Sequence, residues 1–160
     1  MNMYKIIKKA PSFDNDYILF RFIADDTHLL NLKKGDIYIE TAFTSTTRNP
    51  FLRFILNPDS LILLKIKIPK NIEGIALSIE PYSLYSYENE IILNPCYLKL
   101  VHKIIREDGD IYEHINKEVS KLINTIYELE YVKPYDISKH FLKYKITDYT
   151  IPFIDFYDIS

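Results

Sequence analysis

Three fragments of this 160-residue chain carry side chains whose types and spacing could do chemistry. The first is an arginine set among apolar residues, Leu19-Phe20-Arg21-Phe22. The second is the hydroxyl-rich run Phe43-Thr44-Ser45-Thr46-Thr47. The third is Tyr87-Glu88-Asn89-Glu90, leading into Ile91-Ile92-Leu93-Asn94. A guanidinium taken into an apolar setting needs a partner, either a structural carboxylate or a ligand phosphate. Residues two apart on a strand share a face, so Ser45 and Thr47 point together with Thr46 opposite. Glu88 and Glu90 do the same if their strand begins by Glu88. Two carboxylates side by side repel, an arrangement that a purely structural strand does not require. A cation, a hydroxyl pair and a carboxylate pair at strand edges suit a site that grips a diphosphate and stabilises positive charge developing on a sugar. Read one by one, the same residues also fit ordinary roles: threonine is a good strand former, and glutamates often end strands in solvent.

The elements that must position these groups are mostly strands. Residues 17–23 are aliphatic and β-rich, with a break expected at Ala24-Asp25-Asp26, and residues 28–34 suit one or two helical turns stopped by Gly35. Residues 36–47 alternate as a strand does, with a break near 40–42. Pro50 forces Asn49 out of helical conformation, so Arg48-Asn49-Pro50 is a loop. Residues 61–69 alternate cleanly, with Leu61, Leu63, Lys65 and Lys67 on one face and Ile62, Leu64, Ile66 and Ile68 on the other. Short strands follow at 75–79, 90–93 and 97–106. Beyond Asp108-Gly109, apolar residues at Ile111, Ile115, Val119, Leu122, Ile126 and Leu129 recur every three or four positions, which predicts an amphipathic helix over 110–130 that packs on the sheet. The tail from residue 135 alternates aromatic and acidic groups and has no clear assignment. Short strands without regular strand–helix alternation favour an α+β fold.

Composition narrows the function classes. The chain is 48% hydrophobic and 26% charged with a net charge of −2, so it is globular and has no basic field that favours nucleic acid. One cysteine, Cys96, excludes an internal disulfide framework or a cysteine-rich zinc site, and its place in a strand suits a buried thiol. The four histidines show no metal-ligand spacing. With three glycines, Gly35, Gly74 and Gly109, there is no phosphate-cradling glycine loop. Residues 1–9 lack the features of a signal peptide and no apolar run approaches the ~20 residues of a membrane span, so the expected setting is the cytoplasm, its own or a host's.

In order and context, Arg21, the Phe43-Thr44-Ser45-Thr46-Thr47 motif downstream of Gly35-Asp36, and Glu88-Asn89-Glu90 ahead of Ile91-Ile92-Leu93 resemble the arginine–serine–glutamate class of ADP-ribosyltransferases. That class includes bacterial toxins and arginine-specific vertebrate ecto-enzymes. The resemblance covers residues 17–105. Phe22 stands where the family often has glycine, and Thr47 where the third hydroxyl is often serine. Twenty residues precede Arg21, so the helical lobe many toxins carry there is expected to be reduced or rebuilt. The resemblance implies one domain over residues 1–160, α+β, with a mainly antiparallel short-strand core and a few packed helices. It also implies a metal-free transferase that cleaves the nicotinamide–ribose bond of NAD, its substrate, and passes ADP-ribose to an acceptor protein. Glu-x-Glu, rather than Gln-x-Glu, points to arginine as acceptor. By the same resemblance Glu90 stabilises the transition state, Glu88 readies the acceptor and Ser45 positions Glu90. Arg21, Phe43, Thr44, Thr46, Thr47, Arg48, Phe51 and Arg53 contact the dinucleotide. Hydrolysis of NAD by water, or nucleotide or partner binding without turnover, are the alternatives.

Overall fold

A computed structural model describes residues 3–48, 61–78, 90–106 and 123–136. Among the described residues one short helix, α1 (Met3–Lys8), precedes eight strands: β1 (Tyr17–Ile23), β2 (Ile37–Glu40), β3 (Thr44–Thr47), β4 (Leu61–Ile68), β5 (Ala76–Ser78), β6 (Glu90–Leu93), β7 (Cys96–Ile105) and β8 (Ile123–Pro134). The strands form one sheet in the order β2-β7-β8-β4-β1-β3-β6-β5. Every pairing is antiparallel except β4 with β8, which is parallel. The fold is α+β, as the sequence pattern implies.

The alternation of β4 sets the two faces of the sheet. Ile62, Leu64, Ile66 and Ile68 enter the main core with Leu19 of β1, Leu98 and Leu100 of β7, and Tyr127, Leu129 and Tyr131 of β8. Leu63 points the other way and joins Ile104, Ile123 and Ile126 in a second cluster, backed by Phe20 and Phe22. Lys65 shares that second face and pairs with Glu128 at 3.7 Å. Each fully buried aliphatic side chain contributes about 1.5–3 kcal/mol, so this part of the sheet is the main source of cohesion.

The main core also holds Ala76 of β5 and Ile91 and Leu93 of β6. In a flat sheet β6 would lie about 24 Å from β7, five strand spacings away. The sheet therefore curls over one core and brings β2 and β7 round toward the β1–β3 region. A buried hydrogen bond crosses the fold, from the Tyr131 hydroxyl of β8 to Asn94 Oδ1 at the end of β6 (3.0 Å).

The expected helix over 110–130 is corrected in part. Residues 123–130 belong to β8, which lies inside the sheet between β4 and β7. Ile126 and Leu129 are spaced like helix residues because both faces of β8 are buried, Ile126 in the second cluster and Leu129 in the main core. The β4–β8 register slips between Leu61 and Ile62, so Leu61 faces Ile123 while Ile62 faces Thr125. A bulge of this kind changes which face the following residues occupy. Ile123 and Ile126 thus serve the second cluster while Tyr127, Leu129 and Tyr131 serve the main core. The first half of that segment, through residue 122, and the tail from 137 lie outside the described residues. Residues 28–34 are also not helical; they form turns closed by Leu29 N–H to Asp26 C=O (2.7 Å) and Leu32 N–H to Leu29 C=O (3.1 Å).

Candidate active site

Arg21, Ser45 and Glu90 come from three adjacent strands, β1, β3 and β6. β3 pairs with β6 so that Thr47 faces Glu90 and Ser45 faces Ile92. Ser45 and Glu90 are therefore diagonal neighbours on one face, within reach of each other's side chains. The Ser45 hydroxyl donates to Glu90 Oε1 at 2.5 Å. The Ser45 carbonyl accepts from Arg21 Nη1 at 2.9 Å. One residue thus ties the cation to the carboxylate, through its backbone on one side and its side chain on the other. Ser45 is exposed, and Arg21 and Glu90 are half-buried. The link to Ser45 uses one of the five N–H donors of Arg21.

The remaining hydroxyls of the motif divide by face. Thr44, Thr46 and Thr47 are buried. The Thr46 hydroxyl donates to the Ile91 carbonyl at 2.7 Å, fastening β3 to the strand that carries Glu90. Phe43 packs with Met3, Ile7 and Ile92 beneath α1. Arg48 is exposed just beyond β3. Glu88, Phe51 and Arg53 lie outside the described residues, so the carboxylate pair is represented by Glu90.

Tyr38 of β2 packs against the main core and lies edge-on to His28. Burial pushes the Tyr38 phenol above its ordinary range; Glu40 and Cys96 add to the rise and Arg21 opposes it. The sequence signal of Tyr38 is only that of a strand residue. Cys96 is fully buried, and burial first, then Glu40, pushes its thiol up to about 12, which makes it structural rather than nucleophilic. Among the described residues no group of His, Cys, Asp or Glu is placed to hold a metal ion. No helix among them is long and apolar enough to cross a membrane.

Asn94 is a second residue the sequence pattern did not single out. It is 3% exposed, directly after β6. Its backbone N–H donates to the Ile75 carbonyl (2.9 Å), its amide to the Gly74 carbonyl (3.0 Å), and its oxygen accepts from Tyr131. The only signal was a polar residue and Pro95 closing an apolar run.

A family profile described as ADP-ribosyltransferase exoenzyme matches residues 12–127, which contain all of β1, β3 and β6. The chain belongs to this family. Solved structures of the same fold include the C3stau2 protein of S. aureus with NAD, at 16% identity and a TM-score of 0.58 over 82% of this chain and 68% of that one. Plx2a, an ADP-ribosyltransferase toxin from Paenibacillus larvae, is similar at 16% identity and a TM-score of 0.57, with the same coverage of 82% and 68%. Exoenzyme S from Pseudomonas aeruginosa, solved with human 14-3-3 protein beta and carba-NAD, matches at 14% identity and 0.55 over 80% of this chain and 54% of that one. An uncharacterized protein of Acanthamoeba polyphaga mimivirus is 36% identical over 161 residues, and this ADP-ribosyltransferase-like chain spans 22% of its length.

Proposed function

We propose that this chain is a mono-ADP-ribosyltransferase that takes NAD as substrate and transfers ADP-ribose to a protein arginine. The observation that carries this reading is the Ser45 bridge, with Glu90 at 2.5 Å on its hydroxyl and Arg21 at 2.9 Å on its carbonyl. A carboxylate held in one rotamer by a short hydrogen bond is set to act at a fixed point, and such support decides how well a charged group stabilises a transition state.

In the proposed reaction Arg21 binds the diphosphate, because a guanidinium offers several donors to phosphate oxygens. The bond between ribose C1′ and the nicotinamide nitrogen breaks, and its electron pair leaves with neutral nicotinamide. Positive charge builds on the ribose, and Glu90 offsets it while accepting from the 2′-hydroxyl, as carboxylates do in glycoside hydrolysis. Glu88 takes the proton that the acceptor nitrogen loses as it bonds to C1′. Arg48, Phe51 and Arg53 follow the serine motif and complete the dinucleotide contacts, with Phe51 against nicotinamide. Exposure of Ser45 beside Glu90 admits water to the same carbon, which favours NAD hydrolysis as the second reading.

Incubation of the purified protein with adenine-labelled NAD and a cell lysate tests the proposal. Label on a protein band that hydroxylamine removes supports transfer to arginine. Free labelled ADP-ribose alone supports hydrolysis, and intact NAD refutes both.

A further inference from the structure

The strand that carries Glu90 pairs with none of the long strands of the sheet. β6 lies against β3 from Thr44 opposite Leu93 to Thr47 opposite Glu90, and against β5 from Ala76 opposite Leu93 to Ser78 opposite Ile91. β3 in turn meets β1 at one register position, Phe20 opposite Thr47. The ladder bonds among β3, β6 and β5 hold these strands to one another, and they survive when the three shift together. Ile91 and Leu93 are buried in the main core, which opposes lifting β6 off it. Burial of this kind is non-directional, so it does not fix how far the strand slides or turns over that core. Directional contacts must do so.

On the β3 side, Arg21 of β1 donates to the Ser45 carbonyl at 2.9 Å. At the end of β6 away from Glu90, the Tyr131 hydroxyl of β8 donates to Asn94 Oδ1 at 3.0 Å. Asn94 is 3% exposed and Tyr131 7%, and a hydrogen bond withdrawn from water in this way is electrostatically stronger than one in solvent. The Asn94 amide also donates to the Gly74 carbonyl at 3.0 Å, and its backbone N–H to the Ile75 carbonyl at 2.9 Å. The Gly74 N–H donates in turn to the Ala10 carbonyl, just beyond α1, at 2.9 Å. One side chain thus joins β6 to β8 while gripping the turn that leads into β5. The position needs a donor and an acceptor on one short side chain, which asparagine supplies.

We propose that Asn94 positions Glu90: the bond from Tyr131 sets where β6 rests against β8, and the strand carries that setting to the carboxylate at its other end. This rests on the NAD-cleaving reading given above. The Ser45 hydroxyl holds Glu90 relative to β3, whereas Asn94 holds the strand of Glu90 relative to the core. A reacting group must stay within about 0.5 Å of its productive place, and a misplacement of about 1 Å caused by a distant change costs as much as ~10²-fold in rate. Arg21 sits on β1, which pairs with β4 along its whole length, so loosening β6 leaves that grip on NAD in place.

Steady-state NAD cleavage by the whole chain tests the proposal. Tyr131→Phe keeps the buried ring and removes the hydroxyl that reaches Asn94. It is a gentler change than Asn94→Ala, which leaves the Gly74 carbonyl and the Tyr131 hydroxyl unpaired in the core. The kcat of Tyr131→Phe is expected to fall about tenfold, with KM for NAD close to wild type. Tyr127→Phe is the matched control, since it loses a hydroxyl bond of β8 to Asp26 and none to β6; it keeps wild-type kcat. In a Glu90→Gln background, Tyr131→Phe lowers the residual rate no further, because the carboxylate it positions is gone. A Tyr131→Phe protein with wild-type kcat overturns the inference. So do equal losses in Tyr131→Phe and Tyr127→Phe, or a Tyr131→Phe loss that persists in full beside Glu90→Gln, since each marks general loosening. All three results leave NAD cleavage standing. Intact NAD after incubation with the wild-type protein refutes the enzymatic reading and this inference with it.

Discussion

β4, β7 and β8 run 8, 10 and 12 residues, whereas β3 and β6 run 4 each. The long strands form a slab whose inward residues are aliphatic or aromatic and nearly all buried. The short strands form a wing that carries Ser45 and Glu90, with threonines in three of its buried positions. β1 joins the two unequally. It pairs with β4 along its whole length, from Tyr17 opposite Ile68 to Ile23 opposite Ile62, but with β3 only at Phe20 and Thr47. The hydrogen bond from Arg21 to the Ser45 carbonyl reinforces that thin junction. The main burial and the residues proposed for the chemistry are thus lodged in different parts of one sheet. Short strands leave their ends open for polar side chains, and long central strands supply the burial that keeps those ends in place.

The comparison breaks most easily in the slab. Ile66 is fully buried on β4 between β1 and β8. Ile66→Ala is expected to cost about 2–5 kcal/mol of unfolding free energy, while NAD turnover per folded molecule stays close to wild type. Denaturant titration and an activity assay on the same preparation check both halves; a turnover loss as large as the stability loss would erase the division of labour.

Glu90→Gln is the reverse case. Removing the charge is expected to lower NAD cleavage about 10²-fold or more, close to 3 kcal/mol, with the melting temperature nearly unchanged. Near-normal cleavage by this variant removes Glu90 from the centre of the site.

At the junction, Arg21→Lys keeps the charge but loses the planar array of donors. We expect NAD to bind about tenfold more weakly, equivalent to ~1.4 kcal/mol, with little change in melting. Calorimetric titration beside a thermal scan separates the roles. Unchanged affinity with a clear fall in melting temperature assigns Arg21 to holding the wing alone.

Tyr127 of the slab donates to Asp26 Oδ2 at 2.6 Å, tying β8 to the loop that follows β1. Tyr127→Phe keeps the ring and loses that bond, for an expected cost of about 1 kcal/mol. Burial first, then the Asp26 contact, raises the Tyr127 pKa, so this group contributes stability below its ordinary pKa near 10.0 and loses it as pH rises beyond. Unfolding free energies measured from pH 8 to 11 should therefore converge for the variant and wild type at the alkaline end. A gap that stays constant would assign the effect to packing.

The smallest effect is expected on the outer face of the slab. Lys99 and Glu130 pair at 3.4 Å with both side chains well exposed. Glu130→Gln should change stability by less than about 1 kcal/mol, fading with salt. A larger loss in a salt-independent denaturation series would show that this face carries more of the fold than its exposure indicates.

The sequence alone was enough to place β1, β4 and β6, because unbroken apolar runs or clean two-residue alternation leave one way to bury them. It also put Arg21, Ser45 and Glu90 in the right order on strands, through motifs short enough to be read locally. Tertiary structure decided the rest. That Ser45 reaches Glu90 depends on a register between strands separated by 45 residues, and register is not written in either strand by itself. The part of the expected helix over 123–130 is a strand whose two faces are both buried, so Ile126 of one core cluster and Leu129 of the other mimic a helical spacing. Tyr38 and Asn94 owe their places to the curl of the sheet around one core, and curvature arises from how the strands pack together rather than from any one of them.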